Sequence, residues 1–405
     1  MSHMTQLHSR HYLDISTTDL LFGARGFGNR QDGERELVSL EAELGPKALI
    51  TFSVRSAWDL LLYTLNLPPG SEVIMSAVTI PDMPRIAEAH GLVVIPVDVD
   101  PETMMPRLDL YQNAFRPQTR LVLLAHLLGG AFDPRPYAEV AARRGVPLVE
   151  DCAQAYRGPD WWGSDSTLAS FFSFGSIKTS TSLGAGVAVV RNSGVLERMR
   201  QVHLTRPIQD CRRFAGKAAR YLAVQGFRSP VVYGAVASVA SHAKGGLDGF
   251  ISRTVKGFPA GSSDELLRKL RQRPSPAQVA LLRRRLETFD PGRLEARASR
   301  GEFLRERLAG AGMVLGKNQP RRTHWLFAIA VEGPQTLIRR LREAGFDATQ
   351  GATTIGPIVA PCEYPEFEPS EIREAMSRAV FLPAYPEMNE SETNRMIDCI
   401  NLCRG

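Results

Sequence analysis

An α/β fold is what this sequence predicts: a three-layer sandwich with a mostly parallel sheet covered by helices on both faces, followed by a smaller α+β unit. Three observations predict it. Short apolar runs at 72–76, 92–97 and 121–125 alternate with amphipathic stretches at 82–90 and 134–144, the pattern of strands joined by crossover helices. Two more apolar runs, 146–149 and 170–174, continue the series and end in residues that carry charge. After residue 285 the order changes to a helix at 286–308, a strand at 325–331, a helix at 334–344 and a last helix at 391–402.

Taken in order, residues 1–34 read as an N-terminal arm. Met1-Ser2-His3-Met4 resembles a cloning remnant, and no charged-then-apolar leader follows it. Gly23-Ala24-Arg25-Gly26-Phe27-Gly28 follows no clear strand and opens no helix, so a flexible arm is expected here rather than a phosphate loop. Residues 35–285 form the expected large domain. Its first strand, 48–52, runs into Ser53-Val54-Arg55-Ser56, the start of an amphipathic helix with Leu61, Leu62 and Leu65 on its apolar side. The unpaired N–H groups of such a helix start favour an anion, and Arg55 and Ser56 are expected to assist. Residues 286–405 form the smaller domain. Cys399 and Cys403 share a helical face there and read as core.

The stretch 206–260 reads as an atypical insertion. Arg212, Arg213, Lys217, Arg220 and Arg228 precede a charge-free run at 229–243, and Lys244, Arg253 and Lys256 follow. The run is too short to cross a bilayer, which takes about 20 residues. A buried helical hairpin with a solvated basic face is the preferred reading. The other is a surface that lies on an anionic membrane or clamps a substrate bearing phosphate and lipid. The arginines beyond it, among them Arg283-Arg284-Arg285, point around a helix and read as solubility.

Composition narrows the function classes. A net charge of +6, with no finger, helix-turn-helix or aromatic-interleaved basic motif, argues against a nucleic-acid partner. Five cysteines, an odd number without C-x-x-C spacing, suggest neither a disulfide framework nor a metal site and fit a reducing cytoplasm.

The chemistry centres on Lys178, which follows the apolar run Ser170-Phe171-Phe172-Ser173-Phe174, and on Asp151, 27 positions earlier at the end of another. A lysine just beyond a buried strand is partly desolvated, which favours the neutral amine that a Schiff base needs. Parallel strands joined by such a connection bring both side chains to one sheet edge. Pyridoxal 5′-phosphate needs this pair: an amine to hold its aldehyde and a carboxylate to keep its ring nitrogen protonated. Glu150 and Cys152 flank Asp151 on the opposite face and read as structural.

Val149-Glu150-Asp151-Cys152-Ala153-Gln154, Gly163-Ser164-Asp165, Phe172-Ser173-Phe174 and Lys178 together resemble the DegT-type sugar aminotransferases, pyridoxal phosphate enzymes of fold type I. Pro69-Gly70-Ser71-Glu72-Val73-Ile74, Val78-Thr79, Gly91, residues 96–103, Thr119-Arg120-Leu121-Val122, His126-Leu127-Leu128-Gly129 and Phe381-Leu382-Pro383-Ala384-Tyr385-Pro386 extend the resemblance over most of 35–205 and 285–403. It implies an aspartate-aminotransferase-like large domain and a cytoplasmic homodimer with a shared active site. It also implies transfer of an amino group from an amino acid, glutamate first, to a nucleotide-linked keto sugar, in secondary metabolism. By resemblance Asp151 pairs with the ring nitrogen, Gln154 approaches the phenolic oxygen, Ser173 contacts phosphate and Ile80 packs on the ring where relatives carry an aromatic residue. His324 is a substrate contact or a packing residue. Relatives that dehydrate sugars carry histidine where this chain has Lys178, which favours amino transfer. The family's asparagine segment that reaches a partner subunit's phosphate has no counterpart in 206–285. Two alternatives stay open: a pyridoxal phosphate enzyme with a non-sugar or lipid-like substrate or other chemistry, and a non-catalytic binding protein on the same fold.

Overall fold

The computed structural model describes residues 6–10, 12–25, 30–241, 262–351 and 354–404. Its centre is a seven-stranded sheet made of β1 (Ala48–Thr51), β2 (Glu72–Ser76), β3 (Val93–Val97), β4 (Thr119–Ala125), β5 (Leu148–Asp151), β6 (Ala169–Ser173) and β7 (Gly186–Val190), in the order β1-β7-β6-β5-β4-β2-β3. Strands β2 to β6 pair in parallel, and β7 runs against both of its neighbours. The expected mostly parallel sheet is present.

Strand alternation fills the two faces with different partners. Val73, Met75, Leu121, Leu123, Val149 and Phe171 point to one face, where α3 (Val54–Leu65), α4 (Asp82–Ala89) and α7 (Ser193–Leu204) contribute Trp58, Leu61, Met83, Ile86 and Met199. Ile74, Ile95, Val122 and Leu124 point to the other and meet Tyr137, Val140 and Ala141 of α6 (Arg135–Ala142) beyond the short α5 (Leu108–Asn113). Phe172, one residue from Phe171, joins that second face.

A three-stranded antiparallel sheet, β8 (Met313–Val314), β9 (Phe327–Ala330) and β10 (Ala379–Leu382), lies after the large sheet in the chain. The expected helix over 286–308 is broken: α11 (Pro276–Glu287) ends and α12 (Pro291–Arg307) starts afresh. Asp290 caps α12 by accepting from Arg293 N at 3.1 Å, with Pro291 in the first turn, where its missing N–H costs nothing. Leu304 of α12 packs with Phe327 and Ile329 of β9, with Leu337 and Leu341 of α13 (Pro334–Glu343), and with Met396, Ile397 and Ile400 of α15 (Glu390–Asn401). Cys399 and Cys403 lie partly buried at the edge of this core.

The arm is more structured than expected. Thr17–Ala24 form α1, closed by a capping box between Ser16 and Asp19, and α2 (Arg30–Leu44) already begins inside the expected arm. The glycine stretch 26–28 lies outside the described residues. Arg283, Arg284 and Arg285 are also corrected. Arg284 and Arg285 bind Asp19 at 2.7 and 2.9 Å, and Arg283 pairs with Glu36 and Glu43, so these arginines fasten α1 and α2 to α11.

Residues 206–241 fold as α8 (Cys211–Val224) and α9 (Pro230–Ser241). Helix α8 buries Phe214, Ala218 and Tyr221 and turns Arg212, Arg213 and Arg220 to solvent, the arrangement expected of a hairpin with a basic face. Helix α9 buries Tyr233 and Ala237 but exposes Val231, Val232 and Val239. Lys244, Arg253 and Lys256 lie outside the described residues. Among the described residues no helix is long and apolar enough to cross a membrane.

Candidate active site

The chain leaves β6 at Ser173 and makes a tight loop before entering β7 at Gly186. Phe174 is fully buried, and its carbonyl accepts from Ser182 N at 3.0 Å, Gly184 N at 2.9 Å and Thr181 Oγ1 at 3.2 Å. Ser180, Leu183 and Ala185 adopt φ of 52°, 61° and 64°, a region costly for residues with a Cβ, which the packed surroundings impose. Lys178 sits at the head of this loop, its N–H bound to Gly175 O at 2.9 Å.

Its amine lies 3.9 Å from the centre of the Trp325 ring, and Trp325 Nε1 donates to Ile177 O at 2.9 Å. Asp151, at the end of β5 beside β6, is buried and accepts from Ala153 N at 2.9 Å. Burial, reinforced by the like charge of Arg55 and opposed by Asp151, brings the Lys178 amine from 10.5 down to about 7. Burial likewise pushes Asp151 up, against the pull of the Ala153 N–H and the charges of Lys178 and His126. The two side chains therefore share one electrostatic environment, as their spacing predicts.

The other predicted residues divide. Gln154 is buried with Oε1 accepting from Leu128 N at 2.8 Å, which leaves its Nε2 group as a donor. Ser173 Oγ accepts from Gly175 N at 3.3 Å and retains its O–H to donate. Ser53, rather than Ser56, caps α3: its Oγ accepts from Ser56 N at 3.2 Å. Ser56 is corrected, because its buried hydroxyl donates to Leu270 O at 2.8 Å. Arg55 donates to Asp82 at 2.6 Å, so its charge reaches Lys178 while its guanidinium is held by α4. Ile80 is partly buried against the core cluster of α3 and α4.

His324 resolves to the packing alternative. Its ring is buried, bonds Glu302 at 2.8 Å and fills the space beside Gly301, where an added Cβ would fall 2.1 Å from the ring. The next residue, Trp325, is the one that reaches Lys178, and sequence reasoning missed it. Glu150 faces away from Asp151, as expected. It accepts from His126 at 3.0 Å, Ser170 Oγ at 2.6 Å, Thr167 Oγ1 at 3.0 Å and Ser164 N at 2.8 Å, a satisfied buried carboxylate with Cys152 nearby.

A cavity of about 390 Å³ adjoins the lysine loop at Thr179 and Ser180. Tyr12, Arg228, Arg293 and Arg297 line it, and the Lys178 amine is not among its walls. Arg297 donates to Thr179 Oγ1 at 3.1 Å and to Thr323 O at 2.9 Å, and burial lowers its guanidinium to about 10.

Residues 39–221 match the DegT/DnrJ/EryC1/StrS aminotransferase family. A 3-amino-5-hydroxybenzoate synthase from Amycolatopsis mediterranei (strain S699) is 31% identical over 194 residues, 46% of this chain and 49% of the relative, so the match spans about half the length of that curated protein. Among solved structures, sugar aminotransferase CalS13 from Micromonospora echinospora superposes with a TM-score of 0.64 at 17% identity, covering 99% of this chain and 100% of that one. DesV from S. venezuelae, solved with a ketimine intermediate, gives 0.63 at 22% identity over 95% and 94%. The E. coli GDP-4-keto-6-deoxy-D-mannose-3-dehydratase gives 0.67 at 15% over 99% and 100%. These likenesses carry the fold, and the matched segment holds α3, Asp151, Gln154, Ser173 and Lys178. Residues 39–221 are thus similar to the DegT/DnrJ/EryC1/StrS aminotransferase family, over somewhat less than half of the chain.

Proposed function

We propose that this chain is a pyridoxal phosphate-dependent aminotransferase, moving an amino group from an amino acid, glutamate first, to a carbonyl on a nucleotide-linked keto sugar. One observation carries the reading: a half-buried lysine amine brought to about 7 beside a buried carboxylate. The residues present fit the cofactor. Lys178 would hold its aldehyde, Asp151 its ring nitrogen, Gln154 Nε2 its phenolic oxygen, and Ser173 with the first N–H groups of α3 its phosphate. Bound there, the cofactor supplies an electron-accepting ring conjugated to the carbon that exchanges amines.

The protein's own groups do the rest. Lys178 Nζ, near 7, can take up a proton and return it at working pH, which suits general acid–base transfer by a single group. Asp151, buried, favours a cation opposite it more strongly than a solvated carboxylate would. Trp325 fixes the loop through its N–H bond to Ile177 and shields one side of the amine from water with its ring.

The sugar acceptor is supported by the names of the fold relatives. A second reading, a non-sugar cyclic ketone, is favoured by the matched synthase, whose name describes an aminohydroxybenzoate product. We read the enzyme as a cytoplasmic homodimer, on the family's pattern. The exposed valines of α9 support peripheral lipid contact as a lesser proposal, which fails if anionic vesicles sediment without the protein. The decisive test is to add glutamate to the cofactor-loaded protein. Conversion of the bound chromophore to the amine form supports amino transfer. Bound cofactor with an unchanged spectrum favours other chemistry, and failure to bind it removes the reading.

A further inference from the structure

Helix α8 lies where the family's asparagine segment is missing, yet it packs against the loop that carries Lys178. Tyr221 shares a hydrogen bond with Ser176, and Lys217 Nζ, one turn earlier, donates to Leu183 O at 2.5 Å. The far end of that loop leans on the start of α3. Ala185 N donates to Phe52 O at 3.2 Å, and a Cβ on Gly186 would stand 2.8 Å from Ser53 C and Val54 N. Lys217 therefore holds, at Leu183, the same loop that two residues later leans on the corner where β1 turns into α3. Its half-buried ammonium has three N–H donors and one carbonyl acceptor, and no carboxylate lies within ion-pair distance of it among the described residues. Arg55 is close enough to bear on both lysines, and Lys217 is lowered to about 8, by burial first and then by Arg220 and Arg55. Asp82 is engaged with Arg55 and Arg85. A lysine ammonium with spare donors, near a second cation and a helix start, is suited to receive an anion.

We infer that Lys217 is a binding residue for the cofactor phosphate, supplied by α8 of the same chain from beside Leu183, where the lysine loop leans on the start of α3. The inference rests on the cofactor assignment proposed above and adds to it a residue outside the family's motifs. It also gives the basic stretch a purpose that neither a solvated face nor a membrane patch provides.

The experiment titrates the apoprotein with pyridoxal 5′-phosphate and, separately, with pyridoxal, following the absorbance of the bound chromophore, for the parent, Lys217→Met and Lys217→Arg. Loss of a charge-assisted contact predicts that Lys217→Met weakens pyridoxal 5′-phosphate about tenfold or more. Pyridoxal, which lacks the phosphate, should bind all three within about twofold, since that is the error expected when no contact is lost. Lys217→Arg should recover most of the affinity, and inorganic phosphate should compete more weakly in Lys217→Met than in the parent. Equal weakening of both aldehydes, or of neither, overturns the inference while leaving the cofactor assignment standing. A parent protein that captures neither aldehyde overturns both. Circular dichroism and the thermal midpoint confirm folding. Should Lys217→Met not fold, Lys217→Gln, which keeps a donor for Leu183, is read by the same ratio.

Discussion

Replacing Asp151 by Asn tests how the protein prepares its lysine. Burial moves the Lys178 amine from 10.5 to about 7 even though Asp151 opposes the change. That drop corresponds to at most about 5 kcal/mol of preference for the neutral form. Among the described residues Asp151 is the group that raises it, so Asp151→Asn leaves burial and Arg55 unopposed. An opposite charge at close range is worth about one to three pH units, and with Asn in its place the midpoint should fall below 7 by about one or more. The assay is the rate at which apoprotein captures pyridoxal between about pH 5 and 10, which follows the fraction of neutral amine. The parent profile should bend near pH 7, and the Asn variant should bend lower. A parent midpoint near 10.5, or an upward shift in the variant, would refute the reasoning.

The remaining predictions follow from the same contacts. Trp325→Ala admits water to the amine and should raise the capture midpoint above 7. Lys178 should also make apoprotein stability rise with pH. Between about 7 and 10.5 the unfolded chain holds a proton that the folded lysine has released, so unfolding becomes harder as pH increases, while below 7 the burial penalty is fully present. In Lys178→Met this part of the slope should vanish in denaturant titrations. Gly163→Ala, at φ 87° with its Cβ 2.0 Å from Ser170 Oγ, should lose about 2–4 kcal/mol in urea unfolding by forcing apart the Glu150 cluster. Asp19→Ala removes the side-chain half of the capping box of α1 and the partner of Arg284 and Arg285, and should cost about 2 kcal/mol or more in the same assay.

What the sequence revealed follows from how locally each feature is encoded. The large sheet was legible because each strand is an apolar run and each crossover helix has a period of its own. Neighbours such as Phe171 and Phe172 can serve opposite faces without disturbing that signal. Lys178 and Asp151 were legible because adjacent parallel strands end at one edge. Side chains that arrive from distant segments were not. His324 and Trp325 are adjacent, and only the small-domain packing decides that the first turns to Glu302 and the second to Lys178. The arginine triplet looked like surface because its partners, Asp19, Glu36 and Glu43, are more than 200 residues away. Ser56 looked like a phosphate ligand until Leu270, equally remote, took its hydroxyl. The break before α12 had a local signal, Asp290 followed by Pro291, that the apolar pattern on either side obscured.

Covalent trapping addresses the central claim most directly. The protein is loaded with pyridoxal 5′-phosphate, reduced with borohydride, digested and mapped by mass spectrometry. The account predicts one pyridoxyl group, on the peptide containing Lys178, and none on that peptide in Lys178→Ala. A label on another lysine, Lys217 included, or an unlabelled parent protein would contradict it.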